Sequence, residues 1–180
     1  MSRKAEITKD VLCILGAIGL VAIAVAAPNA VRLLSHHNSF KRFDKKKLSK
    51  SVNYLRQRDY VTIYQEDGKT VIKLTKNGED KLLKYKLDLL SVPKPKGWDK
   101  KWWMVIFDIP ESHKSNRRVF VDKLKEMGFA MMQKSVWVYP YRCEDEIDFL
   151  KEIYEIRKFV RVVKADYVDI EQDLKEKFAL

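Results

Sequence analysis

WMVIFDIPESHKSNRRVFVDKLKEMGFAMMQKSVWVYP, residues 103–140, is the stretch whose alternation decides the fold. An apolar run from Trp102 to Ile109 passes through Asp108 and predicts a strand with both faces covered, as in the middle of a sheet. Ser115 is placed to cap a helix running through Met127, with Val119, Val121, Leu124 and Met127 as its apolar side. Gly128 stops that helix, because glycine accepts the left-handed backbone that closes a helix end. AMMQK and SVWVY then supply two more short strand-like runs. Glu144 to Arg157 follows as an amphipathic helix with Ile147, Leu150 and Ile153 inward, its opening Glu144-Asp145-Glu146 matching the positive end of the helix dipole. Phe159 to Ala165 is the last strong strand, so the order is βαββαβ. Asp166 to Leu180 is expected as a further strand or turn of helix crossing to a partner.

Immediately upstream, SVPKPKGWDKK (residues 91–101) is rich in Pro, Lys and Gly and reads as a linker. Three segments result: a domain over 1–90, a linker over 91–101 and a domain over 102–180. Charge divides at the same place. The chain has 36 Lys and Arg against 25 Asp and Glu, a net +11. Residues 1–97 carry 20 basic and 9 acidic side chains, and residues 98–180 carry 16 of each, so the whole surplus belongs to the first half. A surplus so localised points to a polyanion, nucleic acid or an anionic lipid surface; a merely solvated lysine-rich surface is the bland alternative. Hydrophobic content of 46% with 34% charged residues excludes a disordered chain. Cys13 and Cys143 show no ligand or redox spacing, and reduced cytosolic thiols are the expectation.

Val11 to Ala27 is apolar apart from its glycines, close to the length that spans a bilayer, and basic residues precede it. Its alanines and glycines keep it only modestly hydrophobic, and no Trp or Tyr marks its ends. A buried first helix of the domain fits as well, and the sequence downstream favours that. Asp44 can cap a helix over residues 44–60, on which Leu48, Val52 and Leu55 form one stripe and leave the lysines on other faces. YVTIYQ and TVIKL flank the turn EDGK with Gly68 and predict a hairpin. Thr75 can cap a closing helix through Leu90, with Leu82, Leu83, Leu87 and Leu90 apolar.

Helices, a basic helix, a hairpin and a closing helix are the order of a winged helix-turn-helix, and LTKNGEDKLL resembles the end of many bacterial winged-helix domains. A helix fits the major groove, lysines neutralise phosphates and a wing adds a backbone contact. Lys46, Lys47 and Lys50 are the expected phosphate contacts, and Ser49, Asn53 and Arg56 can reach base edges. Lys45, Lys69 and Lys73 complete the expected DNA-binding set.

FDIPE, RR, LKEMGF and QKSVWVYP, in this spacing, resemble the central domain of the PaaX family of transcriptional repressors. That domain is similar to the small CRISPR adaptation protein, the Cas-two family. The resemblance implies an α+β protein, a winged helix followed by a ferredoxin-like domain, acting on double-stranded DNA as a cytoplasmic homodimer without an enzymatic cofactor. The chain departs from the family in its Ala/Gly-rich first helix and its short tail. In the Cas-two family an Asp ending the first strand lies near the dimer twofold and is associated with Mg²⁺-dependent nuclease activity. Asp108 matches it and is the candidate catalytic and metal residue, with Mg²⁺ expected only in that alternative. Its structural alternatives are a cap on the following loop or a pair with Arg117 or Arg118. The rivals to a repressor are therefore a Cas-two-like nuclease or spacer-integration subunit, and a membrane-anchored binding module. His36, His37 and His113 show no ligand spacing, Ser112-His113 lacks a third partner, and Trp102, Trp103, Trp137 and Tyr139 read as core or dimer contacts.

Overall fold

The computed structural model of the protein describes residues 3–18, 20–23, 38–67 and 69–180. The chain divides into two compact units, residues 1–89 and 90–180. In the first, α1 (Arg3–Ile18), β1 (Leu20–Ile23), α2 (Lys45–Gln57), β2 (Val61–Glu66), β3 (Lys69–Leu74) and α3 (Lys76–Leu89) follow one another. The strands form an antiparallel sheet of order β1-β3-β2.

The apolar run 11–27 is not one helix. Its first part is the second half of α1, and Leu20–Ile23 is a strand whose partners are Lys73 to Thr70 of β3. Gly19 and residues 24–27 lie outside the described residues, as do the Pro28-Asn29 break, His36, His37 and Gly68 of the expected turn. A four-residue apolar run has no period of its own, so pairing to β3 decides its conformation. Among the described residues no helix is long and apolar enough to cross a membrane.

Asp44 does cap α2, its carboxylate accepting from the Lys47 N–H at 3.0 Å. The helix stops at Gln57 rather than running to Tyr60, because Asp59 takes a left-handed backbone (φ 56°) and the Tyr60 N–H returns to the Leu55 carbonyl at 2.8 Å. Leu48, Val52 and Leu55 are buried, joined by Ser51, whose hydroxyl accepts from Thr8 of α1. They pack with Val11, Leu12, Leu15, Phe40, Ile72 and Leu82, each full burial contributing about 1.5–3 kcal/mol. Thr75 caps α3 as expected, its hydroxyl accepting from the Gly78 N–H at 3.0 Å. Of the leucines expected on the inner side of α3, Leu82 is buried while Leu83, Leu87 and Leu90 are only half-buried.

The second unit runs β4 (Trp102–Phe107), α4 (Lys114–Glu126), β5 (Ala130–Gln133), β6 (Val136–Tyr139), α5 (Glu144–Ile153), β7 (Val160–Ala165) and α6 (Glu171–Phe178). The sheet order β5-β6-β4-β7, antiparallel throughout, is that of a ferredoxin-like βαββαβ fold with α6 added. Several boundaries differ from the sequence expectation. A 3-10 turn over Glu111–His113 leads into α4, so His113 rather than Ser115 precedes it, and the Ser115 hydroxyl goes to Asn116. The inward face shifts with it: Phe120, Lys123 and Leu124 are buried, and Val119 is exposed. Gly128 (φ 88°) ends the helix as expected, with the Phe129 N–H reaching the Leu124 carbonyl at 3.0 Å. Glu155 (φ 54°) ends α5 at Ile153 in the same manner, which leaves Ile153 half-buried while Ile147 and Leu150 are enclosed.

The tail does not extend away from its own unit. Helix α6 lays Leu174 and Phe178 over Trp102, and Trp98 of the expected linker packs on the same ring at 4.8 Å. The Trp98 end of that linker is thus part of the second core. Trp102, Trp103, Trp137 and Tyr139 are all buried. Cys143 is buried too, and burial, followed by the Glu146 and Glu144 charges, pushes its thiol from an ordinary 9.0 up to about 12. At pH 8 the native thiol should react with maleimide about a thousandfold more slowly than in denaturant, as thiol titration will show. The sign for stability follows: the contribution is intact below pH 9.0 and declines as pH rises from there toward 12, because the unfolded thiol ionises first.

Candidate nucleic-acid interface and the Asp108 face

In α2 the buried residues lie on one side, and at about 100° per residue Lys46, Lys50, Asn53 and Gln57 fall on the side opposite. Lys46, Lys50 and Gln57 are exposed and Asn53 is half-buried. Ser49 and Arg56 border this strip on one flank and Lys47 on the other, while Lys45 sits at the first turn nearer the core. Among the expected base-reading residues, Asn53 therefore stands on the strip and Ser49 and Arg56 beside it. Gln57 was missed by sequence reading. Its i, i+4, i+7, i+11 relation to Lys46, Lys50 and Asn53 lies within the expected helix over 44–60 and is the signal that finds it. Tyr54 is also exposed on this helix, with the Arg58 guanidinium 5.6 Å from its ring centre.

The hairpin register pairs Val61 with Leu74 and Glu66 with Lys69. Ile63 and Ile72 face each other on the core side, where Gln65 also donates to Thr70 at 2.9 Å. Lys73 stands opposite Thr62 on the other side, and both Lys69 and Lys73 are exposed. The same unit thus presents a lysine-bearing helix face and a lysine-bearing hairpin.

In the second unit Asp108 follows β4, its N–H donating to the Phe159 carbonyl at 3.0 Å. Neither expected arginine pairs with it. Arg117 turns to Glu111 (3.0 Å) and the Ile109 carbonyl, Arg118 lies 4.0 Å from Asp122, and Lys114 also takes Glu111. Nor does its side chain cap the next helix. Among the described residues no cation lies within ion-pairing distance of the Asp108 carboxylate, and no three His, Cys, Asp or Glu side chains come together as a metal cluster. One carboxylate per chain is the lower end of what a Mg²⁺ site draws on, one or two carboxylates plus substrate oxygens. His113 packs its ring on Phe159, with Ser112 Oγ 3.0 Å from its Nδ1.

Antiparallel register assigns the two faces of the sheet. Trp103, Val105 and Phe107 face the helices, as the edge-on contact of Phe107 with Phe120 of α4 shows. Trp102, Met104 and Ile106 face the other way, opposite Ala165, Val163 and Arg161 of β7 and, from β6, Val138 and Val136. Helix α6 covers only the Trp102 end. At the far end Ile106 and Val163 are 37% and 42% exposed, and Met104 and Val136 half-buried. Asp108 continues the alternation beyond Ile106, and with Arg161, Lys158 and Phe159 it borders an open depression of about 340 Å³.

Residues 95–176 match the family model of the PaaX protein central Cas2-like domain. The second unit thus carries a domain similar to the PaaX central domain. The match takes in Trp98 and most of α6, the two elements that close over Trp102, so the PaaX-type domain begins before the sheet and ends beyond it. No curated protein matches the chain.

Proposed function

We propose that this chain is a PaaX-family, duplex-DNA-binding transcription regulator, repressor-like in action, cytoplasmic and homodimeric. Its first unit reads as a winged helix: α2 enters the major groove, the β2–β3 hairpin is the wing, and β1 joins the wing sheet as its third strand. The observation that carries this reading is the strip Lys46, Lys50, Asn53 and Gln57, turned away from the core on a helix with no acidic residue in it. Lysines there neutralise phosphates, and Asn and Gln amides pair with the adenine edge. Lys45, Lys47, Lys69 and Lys73 add backbone contacts, and Ser49 and Arg56 reach from the flank.

The dimer would form through the open end of the second sheet, where Ile106 and Val163 await a cover; sheets pack face to face about 10 Å apart. Twofold symmetry then asks for an inverted repeat in the DNA. Selection of bound duplexes from a random pool tests the whole reading. An inverted repeat should emerge, and a pool that shows no enrichment over its starting composition would refute sequence-specific regulation. Incubation with Mg²⁺ and labelled nucleic acid should leave the strands intact; cleavage that disappears in Asp108→Ala would instead make this a nuclease.

A further inference from the structure

Asp108 and Arg161 stand on the same exposed sheet face with opposite charges, yet they make no ion pair with each other. Lys114, Arg117 and Arg118, the first cations to follow Asp108 apart from His113, are committed to Glu111 and Asp122. Arg161 is held by its own backbone: Nη1 donates to the Val160 carbonyl at 2.9 Å and the Arg157 carbonyl at 3.2 Å. Among the described residues its Nη2 and Nε hydrogens have no acceptor, so a fixed guanidinium keeps donors to spare. Arg157 is closed off by its ion pair with Glu152, and Lys158 lies over the Phe159 ring.

We infer that these two residues form reciprocal ion pairs between two copies of this chain, Asp108 of each with Arg161 of the other. The inference rests on the homodimer proposed above and adds what fixes its register. A twofold interface brings residue i against residue j and j against i, so one acid and one base on a single patch suffice for two pairs. Ile106 and Val163, which lie between and beside them in the register, supply the apolar centre that excludes water from the pairs. The acid alone would work against dimerisation, since two carboxylates drawn together repel. Arg161 converts that repulsion into attraction and explains why Asp108 takes no local partner. It assigns the residue that matches a catalytic position to assembly.

Sedimentation of the full chain tests it. Asp108→Arg and Arg161→Asp should each weaken self-association about tenfold or more. Mixed together, the two variants should form a heterodimer within about threefold of the wild-type affinity, because both cross-pairs become complementary again. Within each variant chain the two residues now carry like charge, so a purely intramolecular effect predicts no rescue. Ile106→Glu reports on the dimer itself. If it abolishes the dimer but the mixture fails to associate, the Asp108–Arg161 pairing is wrong and the sheet-face dimer stands. If Ile106→Glu and both charge variants remain dimeric, the interface lies elsewhere and the inference falls. A wild-type chain that stays monomeric at millimolar concentration overturns the dimer and the pairing together.

Discussion

Replacing Lys46 and Lys50 together by alanine should weaken binding to every duplex alike, by about ten- to a hundredfold near physiological salt. The dependence of log K on log salt should flatten by about two units, since each phosphate contact releases close to one counterion. Both side chains are exposed on the face of α2 opposite Leu48 and Leu55, so their loss leaves the core untouched. Alanine is also the better helix former, and the variant should unfold no earlier than the wild type. Lys76→Ala is the matched control: that lysine pairs with Asp80 on α3 at 3.4 Å and lies off the strip. Asn53→Ala with Gln57→Ala should do the converse, keeping the salt slope while levelling the preference among sequences by about 1–3 kcal/mol per base pair read. Anisotropy titrations at several salt concentrations read all three. An unchanged slope in the lysine variant would move the DNA surface off α2.

How far this was legible in the sequence varied with the range of the forces involved. Helix α2 could be read because its cap and stripe are local: Asp44 needs only the Lys47 N–H, and Leu48, Val52 and Leu55 repeat with the helix itself. Gly128 could be read for the same reason. Helix α4 begins two residues before the start that a Ser115 cap implies, and its inward face differs with it, because the 3-10 turn at Glu111–His113 is held by the Pro110 carbonyl rather than by any capping side chain. Strand β1 was hidden inside an apolar run because only its pairing with β3, fifty residues away, makes Leu20–Ile23 extended. Asp59 and Glu155 end their helices in a backbone that glycine would have advertised and they do not. The candidate sites followed the same rule. The lysines on α2 were visible from period alone, whereas the company of Asp108 depends on which acids its neighbouring arginines choose.

The same contrast gives a large stability effect for a single methyl group. Gly78→Ala in α3 should destabilise the first unit by about 3 kcal/mol, although helix propensity alone favours alanine there by about 1 kcal/mol. A Cβ on Gly78 would stand 1.9 Å from the Tyr60 carbonyl oxygen and 2.8 Å from its carbon. These are backbone atoms and cannot swing aside as a side chain would. Tyr60 is also fixed from both directions, its N–H bonded to the Leu55 carbonyl and its own carbonyl accepting from the Thr75 N–H at 3.2 Å. The start of α3 is tied to the same junction, since Asn77 donates to the Asp59 carboxylate at 2.8 Å and the Thr75 hydroxyl donates to the Asp59 carbonyl. Relief therefore means either parting α3 from the α2–β2 corner or giving up those bonds. The thermal transition of the first unit should drop by roughly 15 °C, while that of the second unit stays in place. Gly97→Ala, where an added Cβ meets nothing within 4 Å, should shift neither transition. A Gly78→Ala chain that melts within about 3 °C of wild type would show that the corner yields, a change of well under 1 kcal/mol. If instead the drop is large, DNA affinity should fall with it at temperatures where the wild type still binds, because α2 is anchored to β2 through the very residue that the methyl group displaces.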